Sequence, residues 1–447
     1  MAADSAGPAR RGKPSVWRAF AQPSAWTMFF FGFASGMPFL LVAGTLAFWL
    51  TENGLELKNI TLIASAGLAY TLKFLWAPLV DRWRLPLLGR LGQRRGWLLF
   101  ALLVVIAGLL LMAQITPDRL AMFVWITLAT AFAGATLDIA VDAYRVEIAP
   151  NEAQGALVAT YSLGYRIALI ITGMLALILA EQVPWPQVYR GMALFMLIPV
   201  VAVLIAREPD VLRVKMTTWA EGLREGVVEP FMDFFRRFNG PLALALLAFI
   251  LLAKISDQSL GGGIMAPFYL GEGFSKTEIA TVTKFYGIWV GMAGVFLAGI
   301  AIARWGVKWP LLAGVVLGAV SNLLYVWLVG ADGDVLKLTL VISGENLAQG
   351  FQGTTLVAFL SALVNQRFTA TQYALFSSLV MLPGKLLGAV SGGIVEQTGY
   401  GVYFWITALV AVPAVVLFFW LSPRIRFGGD NAPATGVDRP QDPPAGS

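Results

Sequence analysis

The sequence predicts an all-α integral membrane protein whose twelve transmembrane helices form two six-helix bundles. Three observations predict it. Of the 447 residues, 58% are hydrophobic and 13% charged, with a mean hydropathy of +0.73, whereas a soluble chain of this size carries about 25% charged residues. Continuous apolar runs of about 20 residues, the length that crosses a bilayer, recur along the chain; a β-barrel would show short alternating segments instead. A polar interval divides these runs into two sets of six.

In chain order, residues 1–25 form a polar, basic N-terminal tail carrying Arg10, Arg11, Lys13 and Arg18. No signal-peptide cleavage pattern follows, so the first span is expected to be retained. The first bundle covers 26–206, with spans near 26–50, 60–80, 96–116, 120–145, 155–180 and 187–206. The interval 207–240 carries six basic and six acidic side chains and reads as a cytoplasmic linker containing an amphipathic or surface helix. The second bundle covers 241–421, with spans near 241–270, 277–302, 309–330, 337–364, 372–395 and 402–421. The tail 422–447 is polar and rich in Pro and Gly, and is expected to be disordered.

Lysine and arginine set the orientation. Of the 32, only Lys58, Arg119, Arg190, Lys276 and Lys337 fall in outer loops when both termini face the cytoplasm; six lie in spans and 21 in inner segments. The net charge of +6 therefore reads as topology, and no nucleic-acid partner is expected. There is neither cysteine nor histidine. Disulfides and thiol chemistry are excluded, and any proton relay must run on carboxylates. No metal-ligand set and no nucleophile–base pair is visible, which argues against an enzyme.

The two halves look like copies. FWLTENGLELKNI (48–60) resembles FYLGEGFSKTEI (268–279), and EAQGAL (152–157) resembles ATQYAL (370–375), at offsets of 218–220 residues. Six-plus-six with parallel halves is the repeat pattern of major facilitator transporters, whose substrate site lies between the halves near the midplane. The predicted fold is therefore the major facilitator fold. Gly36–Met37–Pro38 in span one and Gly261–Gly263 with Pro267 in span seven are expected to interrupt their helices at matching places; small-residue helix packing is the alternative.

Charges inside spanning helices are costly and mark function or pairing. Asp138, Asp142 and Arg145 are spaced i, i+4 and i+7 on one face of span four. Asp142 lies one turn deeper and could pair with Arg145 or with the loop that follows span two. Asp138 has no partner at i±4 except Asp142, the setting of a carboxyl that takes up a proton; pairing with Arg166 or Lys73 is the alternative. Asp138 and Asp142 are the proton-coupling candidates, with Asp257 and Glu345 behind them. The loop LVDRWRLPLLGRLGQRRG (79–96) resembles the major facilitator signature D-R-x-G-R-R, stretched by insertion. In such transporters it is a cytoplasmic latch whose arginines pair with acids at the inner end of span four. That resemblance makes Asp81, Arg82, Arg94, Arg95 and Arg145 the latch candidates. The counterpart in the second half, ARWGVKW (303–309), has no acid.

LKFLWAPLVDR (72–82), RRGWLL (94–99), LDIAVDAYRVEIAPNEAQGA (137–156), GYRIA (164–168), GENLAQGF (344–351) and TATQYALFSSL (369–379) together resemble the AmpG-type muropeptide permeases of Gram-negative inner membranes. The resemblance covers about residues 26 to 421. It implies proton-coupled import of anhydro-muropeptides by alternating access, in a multi-pass inner-membrane protein acting as a monomer, with a small-molecule sugar-peptide substrate and no cofactor besides the coupling proton. This chain ends in a polar tail where some members add two spans. The alternative cargo is another amphipathic or anionic molecule, an exported drug or an acyl-CoA-type anion.

Muropeptides carry free carboxylates, so cationic cavity groups suit them. Arg166 and Lys385 fall at near-equivalent positions of the two halves and are expected to reach the cavity, with Lys73 and Lys284. Lys254 is matched by Asp257 or Gln258 nearby. Glu345, Gln349 and Gln352 share a face of span ten, where a polar stripe must avoid lipid. It can serve a cavity or interhelical hydrogen bonding. Tyr70, Tyr165 and Trp289 could supply flat faces for sugar rings.

Overall fold

The computed structural model describes residues 22–115, 119–148, 154–209, 224, 228–261, 263–363 and 369–425. Among the described residues no strand occurs, and the regular elements are all helical. The expected disorder of the terminal tails falls outside the described residues, apart from the few that adjoin the first and last helices. The chain divides into two compact units, Met1–Met216 and Thr217–Ser447.

The first unit contains α1 (Pro23–Leu41), α2 (Gly44–Glu52), α3 (Leu57–Ala64), α4 (Leu68–Leu72), α5 (Ala77–Arg82), α6 (Gln93–Met112), α7 (Leu120–Ile148), α8 (Gln154–Ile170), α9 (Ala176–Gln182), α10 (Trp185–Phe195) and α11 (Leu197–Ile205). Its most extensive helix–helix packing joins α1 and α8. Small residues cause it. A Cβ at Gly32 would collide with the Tyr161 carbonyl, and one at Gly164 with the Phe29 carbonyl, so two backbones meet where side chains would hold them apart. Gly36 packs in the same way against Tyr165 and Ala168. The expected interruption at Gly36–Pro38 is therefore corrected: α1 runs through Pro38 and ends at Leu41. Proline removes one ladder hydrogen bond and kinks a helix without having to end it.

The second unit contains α12 (Glu229–Arg237), α13 (Gly240–Leu252), α14 (Ile255–Ser259), α15 (Met265–Gly271), α16 (Lys276–Ile279), α17 (Gly287–Trp305), α18 (Lys308–Leu328), α19 (Val335–Leu363), α20 (Thr369–Thr398), α21 (Tyr400–Leu409) and α22 (Val412–Leu421). Phe249, Phe359, Phe376 and Phe418 are buried at its core. The short helix α12 lies in the polar interval between the halves and sends Phe234 into that core. Span seven does break, after Leu252 and again between Ser259 and Met265. Gly263 there has φ +84°, a conformation that costs glycine little.

Nine helices among the described residues are long and apolar enough to cross a membrane. The twelve-span expectation differs at 60–80, 241–270 and 337–364. The first divides into α3, α4 and α5 with 3₁₀ turns at Ser65–Gly67 and Lys73–Leu75. The second divides into α13, α14 and α15. The third, α19, is a continuous helix of 29 residues, but Glu345, Asn346, Gln349 and Gln352 dilute its apolar character.

Candidate functional site

In the first unit, the interrupted span two brings Lys73 to span four. Its Nζ lies 3.3 Å from Asp138 Oδ2 and 3.5 Å from Asp142 Oδ2. Arg145 Nη2 reaches Asp142 Oδ1 at 3.6 Å from the next turn of α7. The result is a mixed chain of two carboxylates and two cations. Lys73, named both as a cavity cation and as a pairing partner for Asp138, is held by both aspartates. Asp138 takes its partner from span two, not from Arg166. Among the described residues, Asp138 Oδ1, the buried Ser35 Oγ and the Tyr70 hydroxyl have no hydrogen-bond partner within 3.5 Å. Tyr70 sits edge-on to Phe39 with its hydroxyl over Gly134, one turn before Asp138. It is 8% exposed, so it lines the aspartate's surroundings and offers no open face to a sugar. Tyr165 packs between Phe39 and Tyr161. Arg166, one residue on, is exposed and forms no ion pair among the described residues.

The loop after span two is organised by two acids: Glu147 at the end of span four, where the signature resemblance places a partner for its arginines, and Glu208, which sequence reading missed. Arg94, 4% exposed, forks onto Glu147, with Nε donating to Oε2 at 3.0 Å and Nη2 to Oε1 at 2.5 Å. Charge-assisted bidentate pairs of this kind are among the stronger protein hydrogen bonds. Glu208, just past span six, accepts from the backbone N–H of Arg94 and of Arg95 at 2.9 and 3.0 Å. Its carboxylate satisfies donors that the first turn of α6 leaves open. Arg95 in turn donates to the carbonyls of Val203 and Leu204 at the end of α11, and Tyr144 donates to the Arg207 carbonyl. Three helix ends are tied at one place. Arg145 pairs with Asp142 within α7, one of the two partners expected for that aspartate. The side chains of Asp81 and Arg82 lie outside the described residues. Glu208 sits at a linker start, where an acid reads as ordinary surface charge, so sequence carried little signal for it.

In the second unit, Lys254, Asp257, Glu345 and Gln349 form a connected cluster. Lys254 Nζ meets Asp257 Oδ2 at 3.1 Å, and Gln349 Nε2 bridges Asp257 Oδ1 at 2.5 Å and Glu345 Oε1 at 3.1 Å. Asn346 Nδ2 donates to Glu345 Oε2 at 2.7 Å. Asp257, Glu345, Asn346 and Gln349 line a cavity of about 310 Å³ together with Lys284, Tyr269 and Tyr325. Lys284 comes from a π-helical turn, Ala280–Tyr286, just before α17; such turns frequently mark functional positions. Gln352 does not join the stripe. It is 1% exposed, donates to the Ala253 carbonyl at 2.9 Å and packs on Gly318, so it binds helices together. Lys385 is half-buried on α20. Trp289 is 60% exposed and does not line this cavity. Tyr269 and Tyr325, whose hydroxyls lie 3.2 Å apart, are the aromatic groups that do; sequence gave no reason to choose them over other membrane tyrosines.

The Major Facilitator Superfamily pattern matches residues 25–384. The chain is 35% identical over 405 residues to the anhydromuropeptide permease of Escherichia coli strain K12, covering 90% of this chain and 80% of that protein. The chain belongs to the AmpG-type permeases of the Major Facilitator Superfamily. Solved transporters share the fold at low identity. A peptide transporter of the POT family in complex with sulfate superposes with TM-score 0.70 at 13% identity, covering 90% of this chain and 94% of that one. A D-xylose–proton symporter superposes with TM-score 0.66 at 14% identity, covering 89% and 97%. As a major facilitator with nine strongly apolar helices among its described residues, this permease is a multi-pass membrane protein. Its buried ion clusters stand in helices of the kind that this superfamily uses to span the bilayer, where only a paired or functional charge persists.

Proposed function

We propose that the chain carries anhydromuropeptides into the bacterial cytoplasm together with protons, by alternating access, from the inner membrane and with both termini on the cytoplasmic side. It works as a monomeric transporter with no cofactor except the coupling proton, and it is not an enzyme. The observation that supports this best is the Lys73–Asp138–Asp142 triad in a chain so similar to an anhydromuropeptide permease. An ion triad of this kind is a two-state element: a proton on either carboxyl removes one negative charge and leaves Lys73 with the other carboxylate alone. Asp138, with one oxygen unpartnered, is the carboxyl we assign to carry the proton, and Asp142 the neighbour that shares Lys73. The Arg94–Glu147 fork and the Glu208 cap hold the inner helix ends of the first unit together, and we assign this loop to set which conformation is favoured. Arg166 and Lys385 are the cations we assign to substrate carboxylates.

Purified protein in liposomes tests the reading. Labelled anhydromuropeptide should accumulate when the outside is more acidic than the lumen, and should only equilibrate without a gradient. Accumulation of a drug or an acyl-CoA anion, with none of the muropeptide, would replace the cargo assigned here.

A further inference from the structure

The cavity of the second unit holds two acids whose partners differ. Asp257 is matched by a cation, Lys254 at 3.1 Å, and by the amides of Gln258 and Gln349. Glu345 receives only neutral donors, from Asn346 and Gln349, and has no cation within 4.0 Å among the described residues. Lys284 lines the same cavity and forms no ion pair among the described residues either. One acid and one base therefore line the same small cavity without contact. The titratable groups around Glu345 are Asp257 and Lys254 from the α13–α14 break, Lys284 from the π-helical turn, Tyr269 from α15 and Tyr325 from α18. With both acids and both lysines ionised, their charges cancel. A volume of about 310 Å³ lies at the small end of ligand sites, about 300 to 1,000 Å³. It would hold the end of a peptide and not a disaccharide-peptide.

We propose that this cavity is a subsite for an anionic peptide terminus, in which Lys284 takes a substrate carboxylate while Glu345 takes up one proton from solvent. The proposal rests on the muropeptide reading above and adds a second proton site, apart from Asp138. The charge balances. The entering carboxylate brings one negative charge, and conversion of the Glu345 carboxylate to the neutral acid removes one. Without that step a net negative charge would be left in a low-dielectric space. The amide donors around Glu345 allow either form, since Asn346 and Gln349 also carry carbonyl acceptors.

Calorimetric titration of the full-length protein in detergent tests this, run in two buffers of different ionisation enthalpy so that proton uptake is read directly. The probes are an anhydromuropeptide with free carboxyls and the same molecule with its peptide carboxyls amidated. The wild type should bind the free acid with uptake of about one proton at this site. Glu345→Gln should bind it without that uptake, whereas Asp138→Asn should retain it. Lys284→Gln should weaken the free acid about tenfold and leave the amidated probe nearly unchanged, and Lys284→Arg should restore most of the difference. An unchanged unfolding midpoint identifies folded variants. Equal loss for both probes in Lys284→Gln, or wild-type uptake in Glu345→Gln, would overturn the subsite. If the wild type binds neither probe, the muropeptide reading itself fails, and the subsite with it.

Discussion

Lys73 shows what a single residue does here. A lysine stem reaches from an interrupted helix to two aspartates one turn apart, and Asp138, the more buried of the two, has no other cation partner among the described residues. Asp138→Asn keeps the shape but cannot titrate. Gradient-driven accumulation should be lost in this variant while counterflow exchange of labelled substrate persists in the same vesicles. Accumulation at the wild-type level would mean that the proton rides elsewhere, with Asp142, Asp257 and Glu345 next to be replaced. Arg166→Ala or Lys385→Ala should weaken a carboxylate-bearing muropeptide about tenfold more than a neutral sugar, a difference of about 1.4 kcal/mol; equal losses in a detergent binding assay would remove them from the site. The acids of span four were legible because their i, i+4 spacing puts them on one helical face. The identity of their partner was not, because Lys73 and Arg166 were equally available on paper and only the path of span two decides between them.

At the scale of elements, the spans differ most from expectation where polar residues enter them. Span two looked like one apolar run, yet it divides around Ser65–Gly67 and Lys73–Leu75. Hydropathy records composition and not the backbone turn that delivers a lysine. In contrast, Gly36 was read as a break and proved to be a packing surface, since a glycine in a spanning helix carries both meanings. Gly164→Leu should press a side chain into the Phe29 carbonyl and destabilise the first unit by about 1–3 kcal/mol, seen as a lower unfolding midpoint in detergent; an unchanged midpoint would show that α1 and α8 can separate freely. Glu208 was invisible to sequence reading because its role is to cap a helix 113 residues earlier in the chain. Replacing it by Ala should cost about 1–3 kcal/mol through the two open N–H groups and should change crosslinking between the start of α6 and the end of α11. Normal crosslinking and normal transport would reduce the loop to a topology signal.

For the whole molecule, sequence reading reached the superfamily and the AmpG type through motif strings spread from Leu72 to Leu379, and the family match confirms both. In the cavity of the second unit it reached Lys284, Glu345 and Gln349 but not the two tyrosines beside them. Tyr269, Tyr325 and Lys284 come from separate elements, and nothing in their local spacing brings them together. The central claim is that peptide and proton cross the membrane together. The most direct test is a pH-sensitive dye sealed inside liposomes that carry the protein, with no gradient imposed. Adding anhydromuropeptide outside should acidify the lumen, in proportion to the label that enters, and Asp138→Asn vesicles should show no acidification. Entry of the muropeptide with no change in lumen pH would contradict proton coupling.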